Sequence, residues 1–208
     1  MLIPESRTGL ALVAGDDVPR ARIDVEALRC AVGDLLSALG ADVGAEGLRE
    51  TPRRVADAYV ELLTPPAFRP TTFPNHDGYD GLIVARAIPF HSLCMHHLLP
   101  FRGVAHVGYL PGERIIGLSK LARVVELFSR DLQIQERLTV QVADWLQAEL
   151  RPAGVGVVLE AEHMCMSLRG VQQPGARTVT SALRGAVRDD PHTRQEFLAL
   201  TERTSHDC

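Results

Sequence analysis

The stretch Val155-Gly156-Val157-Val158-Leu159-Glu160-Ala161-Glu162-His163-Met164-Cys165 constrains the fold more than any other part of this chain. Successive side chains of a strand point to opposite faces, so residues two apart share a face. Val155, Val157, Leu159 and Ala161 are all apolar, which predicts a row directed into a core. His163 and Cys165 continue that row. A strand over 154–166 therefore needs one covered face, and it delivers an imidazole and a thiol to one end of that face.

The surrounding periodicities supply the cover. In 117–129 the residues Leu121, Val124, Val125 and Phe128 follow the i, i+3, i+4, i+7 rule of an amphipathic helix, and Ser119 stands where an N-cap belongs. A second helix spans 132–150 with Leu138, Val142, Trp145 and Leu146. Strands are expected over 82–92, 102–110 and 176–184. Upstream, Val25, Leu28, Leu35, Leu36 and Leu39 place a helix over 24–39, ended by Gly40. Another helix covers 45–63, broken or restarted at Thr51-Pro52. Residues 64–81 are rich in Pro, Thr and Asp and read as a loop. Asp190-Pro191 opens a last helix, with an N-cap residue followed by proline. The core order is β-β-α-α-β-β. No βαβ alternation is present, which argues against a doubly wound parallel sheet. The expected organisation is a flexible segment over 1–22, N-terminal helices over 23–65 and a catalytic domain over 82–201.

Charge narrows the partners. The net charge is −4 and the pI is near 6.1, so neither nucleic acid nor a membrane surface is an expected partner. No signal-like start and no apolar run of membrane-spanning length occur, which predicts a cytoplasmic protein. Lys120 is the only lysine among 22 basic residues. A compact ammonium retained in an arginine-rich chain points to a tight anion site, because the two cations are not interchangeable there.

Four cysteines, at 30, 94, 165 and 208, are too scattered for a disulfide scaffold. Cys208 reads as a free tail thiol and Cys30 as a small core residue of the first helix. The other two have histidines nearby. Cys94-Met95-His96-His97 spaces a thiol and an imidazole closely enough to bind one metal ion from a tight turn. That spacing alone is weak. With His163 and Cys165 it allows a Cys2His site, in which three protein ligands leave one position for water, as in catalytic zinc centres. The remaining imidazoles are then available for proton transfer. Gly117-Leu118-Ser119-Lys120-Leu121-Ala122-Arg123 offers a helix start with a hydroxyl and two cations, a cradle for polyphosphate. Arg54, Arg169 and Arg177 are further anion candidates. In Gln133-Ile134-Gln135-Glu136-Arg137, a carboxylate can accept two N–H donors from a guanine edge, although Glu136 taken alone reads as a surface helix charge.

These stretches resemble the GTP cyclohydrolase I family. The resemblance is carried by TPRRVADAY (51–59), HSLCMHHLLPFRGVAHVGYLP (91–111), IGLSKLARVVELF (116–128), QIQERLTVQVADWL (133–146), EAEHMCMSLRGV (160–171) and TVTSALRG (178–185). It implies the α+β tunnelling fold, an antiparallel sheet backed by two helices, preceded by a helical extension. It also implies a homodecamer of two face-to-face pentamers, with active sites at subunit junctions. The implied reaction converts GTP and water to 7,8-dihydroneopterin triphosphate and formate, with water adding at C8 of the purine. Carried over by position, zinc (Zn2+) is held by Cys94, His97 and Cys165. His96 and His163 handle protons. Glu136, helped by Gln135, holds guanine. Arg54, Ser119, Lys120, Arg123 and Arg169 contact ribose and triphosphate.

One position departs from the family pattern, which usually reads Cys-Glu-His-His; here Met95 replaces the glutamate. A carboxylate can orient a neighbouring imidazole, whereas a thioether accepts no strong hydrogen bond. Met95 motivates an alternative: a paralogue that stops at a ring-opened formamide or takes a related purine nucleotide. A further alternative is a non-catalytic relative or a nitrile reductase, which uses a cysteine nucleophile and no zinc; the three surviving ligand positions argue against it.

Overall fold

The computed structural model describes residues 23–202. Strands β2 (Ile83–Cys94), β3 (Pro100–Leu110), β6 (Gly154–His163) and β7 (Thr178–Gly185) form an antiparallel sheet. Strand β5 (Leu132–Gln133) adds to its outer edge, parallel to β2, so the order is β5-β2-β3-β6-β7. Helices α3 (Leu118–Ser129) and α4 (Gln135–Leu150) lie between β3 and β6 in the chain. They pack on β2 and on β6 with β7, respectively. The expected β-β-α-α-β-β core is therefore present, and the fold is α+β of the tunnelling type.

Burial follows the alternation. Val155, Val157, Leu159 and Ala161 are fully buried, and so are Phe101, Ala105, Val107 and Tyr109 on the neighbouring strand. Leu121, Val124 and Val125 of α3 and Leu138, Val142, Trp145 and Leu146 of α4 close over them. Apolar area removed from water at this interface is the main stabilising term. The opposite sheet face carries a smaller cluster, in which Phe197 of α7 (Pro191–Thr201) meets Leu82 and Val187. Helix α7 starts where expected: Asp190 is its N-cap and accepts from the Thr193 backbone N–H at 2.8 Å.

Several local expectations need correction. Ser119 is not the cap of α3; Gly117 is, and Ser119 is the second helical residue. The strand containing His163 ends there, and Cys165 belongs to the short helix α5 (Met164–Ser167). The helix expected from 132 begins at Gln135, because Leu132 and Gln133 pair with Leu93 and Cys94. Within the expected loop 64–81, β1 (Thr72–Pro74) pairs with β4 (Arg114–Ile116), and α6 (Ala186–Asp189) precedes the last helix. The N-terminal helices are α1 (Val25–Ala38) and α2 (Thr51–Leu63), which pack on each other. In α1 the apolar stripe is largely exposed and Val32 is its buried residue; Cys30 is exposed rather than in a core. The expectations for residues 1–22 and for Cys208 lie outside the described residues. No helix among the described residues is long and apolar enough to cross a membrane.

Candidate metal centre and active site

The end of the sheet where β2, β5 and β6 finish carries the chemistry. After β2, the chain turns sharply: the Cys94 carbonyl accepts from the backbone N–H of His97 and Leu98, at 3.3 and 2.8 Å. Leu98 takes a left-handed backbone, φ 55°, to complete the reversal. This tight turn folds His97 back over Cys94, with Nδ1 at 3.7 Å from Sγ. From the neighbouring side, α5 lifts Cys165 off the end of β6. The donor atoms of Cys94, His97 and Cys165 all lie within 4.8 Å of one another.

The donor set fits a tetrahedral ion. Zinc bonds of about 2.3 Å to sulfur and 2.0–2.1 Å to nitrogen, at tetrahedral angles, place S and N about 3.6 Å apart. The Cys94–His97 spacing matches that edge. His96 is as near to Cys94, at 3.8 Å, but is not a member of the three-residue group. Burial and the adjacent Cys94 sulfur push the Cys165 thiol up from its ordinary pKa, while Arg169 pulls the other way. Two thiolates in one partly buried site are costly unless a cation neutralises them, so metal binding there would be coupled to release of the thiol protons.

Beside this group opens a cavity of about 210 Å³, lined by His96, Ile134, Gln135, Glu136, His163, Met166 and Thr178 together with the three donors and Gln133. His163 is the fixed imidazole of the site. It faces Phe101 across the strand pair, and the two rings stack with centroids 4.6 Å apart and planes 3° from parallel. Its Nε2 lies 2.8 Å from the Gln135 side-chain oxygen. Burial lowers its pKa, partly offset by the Glu136 carboxylate. Glu136 is exposed on the first turn of α4.

The other expected contacts lie elsewhere on the chain. Ser119 and Lys120 are on the first turn of α3, and the Lys120 ammonium sits 5.6 Å from the centre of the Phe68 ring. Arg123 pairs with Glu126 at 3.0 Å and lines a separate cleft with Phe90, His91 and Arg130. Arg54 is exposed on α2, Arg169 is exposed beyond α5, and Arg177 pairs with Glu160 at 2.9 Å. None of Arg54, Ser119, Lys120, Arg123 or Arg169 lines the cavity beside the sulfurs. Gln135, expected to help hold guanine, is buried and commits its amide to the protein. Sequence reasoning missed Phe101, Thr139 and Thr180 around His163. Thr139 stands four residues after Gln135, on the same face of α4, and that spacing was the available signal.

A tunnelling-fold sheet that ends in two thiols and an imidazole, beside a cavity with an acid and further histidines, defines a protein with a site able to hold a metal ion. The comparisons give the family. The family model described as GTP cyclohydrolase I matches residues 28–202, and the chain belongs to that family. GTP cyclohydrolase 1 of Aquifex aeolicus (strain VF5) is 50% identical over 180 residues, covering 86% of this chain and 98% of that protein. GTP cyclohydrolase 1 of Streptomyces griseus subsp. griseus is 51% identical over 184 residues, covering 85% and 90%. The enzyme of Thermoanaerobacter pseudethanolicus is 49% identical over 182 residues, covering 86% and 97%.

Proposed function

We propose that this chain hydrolyses GTP to 7,8-dihydroneopterin triphosphate and formate, with zinc held by Cys94, His97 and Cys165. The observation that carries the reading is the convergence of those three donors within 4.8 Å, next to a cavity lined by Glu136, His96 and His163. Zinc with three protein ligands and an open position lowers the pKa of a bound water towards about 7 and so supplies hydroxide at neutral pH.

The chain's own residues do the rest. Glu136 accepts the N–H groups of the guanine edge, which orients the five-membered ring towards the sulfurs. His163, clamped by Phe101 and Gln135, and His96, on the ligand turn, move protons to and from the purine and ribose as the ring opens and recloses. Ser119, Lys120 and Arg123 at the start of α3, with Arg54 and Arg169, take the ribose and triphosphate. All five lie off the 210 Å³ cavity, which is smaller than the 300 Å³ or more usual for a ligand of GTP's size. That mismatch supports a site completed by neighbouring subunits, and hence a homo-oligomer, with the decamer as the assembly. A soluble pterin-forming enzyme of the cytoplasm is the setting we propose.

Met95 is exposed on the ligand turn, where it contributes no acceptor to His96 or His97. It favours a second reading, in which the reaction halts at the ring-opened formamide. Mass spectrometry of the products formed from GTP by the zinc-loaded protein separates the two. Formate with the dihydropterin triphosphate supports full turnover. A formamide without either product replaces it with the second reading, and unchanged GTP refutes both.

A further inference from the structure

Beneath His163 lies a buried hydrogen-bond network whose polarity is determined at every link. The Thr139 hydroxyl is 2.7 Å from the Gln135 backbone carbonyl, which can only accept, so Thr139 donates. Its proton is then spent, and the 2.7 Å contact between Thr139 and Thr180 must be donated by Thr180. Thr180 Oγ1 is thereby an acceptor for Gln135 Nε2, at 3.1 Å. The same Nε2 also lies 3.1 Å from the Leu159 carbonyl and 2.9 Å from that of Thr178, so its two hydrogens are shared among three acceptors. Three acceptors around one nitrogen fix which end of the amide is NH2. The other end, Oε1, is an acceptor and lies 2.8 Å from His163 Nε2. The imidazole must therefore supply the hydrogen from Nε2.

We propose that Gln135 is a positioning residue: it holds neutral His163 as the Nε2–H tautomer and leaves Nδ1 as the ring's lone pair for the substrate. The assignment rests on the reading of His163 as a proton carrier, and it replaces the guanine contact expected for the Gln135 side chain. Two constraints leave the ring no freedom. Stacking on Phe101 sets its plane, and the Gln135 bond sets its orientation within that plane. A ring flip would bring a C–H to the amide oxygen and forfeit the bond. Gln135 and Thr139 are both about 1% exposed, so water does not substitute for a lost partner. An outer partner that fixes an imidazole tautomer commonly contributes 10–100-fold to activity at metal sites.

The test reads the tautomer directly. Zinc-loaded protein carrying 15N-histidine is examined by solid-state NMR, and the His163 signals are identified by their absence from His163→Asn. The expected wild-type spectrum shows a protonated Nε2 and a bare Nδ1. In Gln135→Met, Nδ1–H should become populated. Its kcat should fall about 10–100-fold, while KM for GTP and zinc per subunit stay within about twofold. A wild-type Nδ1–H overturns the assignment whether or not the variant folds. A variant with raised KM and unchanged kcat overturns it too, because Gln135 would then act on guanine. The spectrum needs no turnover. Inactivity of the wild type towards GTP would thus refute the proposed reaction without touching the tautomer.

Discussion

Replacing Gly156 by alanine tests how β6, the strand that ends in His163, is held on its far side. Gly156 pairs with Gly108 across β6 and β3, and the ring of Phe197 lies close against both. A Cβ on Gly156 would meet Phe197 Cε1 and Cζ at 2.6 Å and Cδ1 at 2.8 Å. Carbon atoms in contact prefer about 3.5–4.0 Å, so the overlap is close to 1 Å over three atoms. The ring cannot retreat: Phe197 is fully buried against Leu82 and Val187, and a Cβ on Gly108 would already stand 3.0 Å from its other edge. Overpacking of a closed site costs about 1–3 kcal/mol. For a chain of this length that corresponds to a fall in Tm of roughly 2–12 °C. Urea and thermal unfolding at matched protein concentration measure it, since assembly couples to stability. Phe197→Leu alone should also destabilise, through lost burial. The double variant should be more stable than the sum of the two by about 1 kcal/mol or more, because the smaller side chain removes the collision. kcat per folded subunit should be unchanged, since the contact lies at the other end of β6 from His163. A neutral Gly156→Ala, or strict additivity with Phe197→Leu, would refute the close-packing argument.

Cys165→Ser should reduce bound zinc from about one ion per subunit to near zero and abolish turnover while far-UV circular dichroism persists; equal zinc and turnover in the two proteins would contradict the ligand assignment. Lys120→Arg should weaken GTP binding by about tenfold, or ~1.4 kcal/mol, and guanosine binding much less; parallel losses, seen by calorimetry, would remove the triphosphate role. Asp190→Ala tests the cap of α7 through pH. The Thr193 hydrogen bonds hold the Asp190 carboxyl below the ordinary 3.8, so the cap's contribution is present above that value and lost as pH falls through the depressed folded pKa. The variant should be less stable than wild type at pH 7 and indistinguishable from it once both states bind the proton; a gap that persists in acid would show that the carboxylate is not the stabilising group.

Much of this architecture is legible in one dimension because its causes are local. The two-residue period of 155–161 and the helical period of 121–128 each follow from burying one side of a regular element; they located α3 within a residue and the start of β6, whose end falls three residues before the one expected. Asp190-Pro191 announced α7 through capping chemistry confined to four residues. The three residues at 94, 97 and 165 that together could hold a metal ion were readable, along with the family to which the chain belongs. Other features were not. Strand β5 exists only because Leu93 and Cys94 lie beside Leu132 and Gln133, and a two-residue strand has no period of its own. Cys165 reads as a strand residue by alternation, yet β6 ends at His163 and α5 turns the thiol towards Cys94. The side chain of Gln135 reads as a reader of guanine until its partners are known. These are His163, 28 residues away, and Thr180, 45 residues away, and each hydrogen bond's direction depends on the next. A residue's chemistry is set by which groups share its desolvated surroundings. The sequence determines which groups are available, and only the packed sheet decides which of them meet away from water.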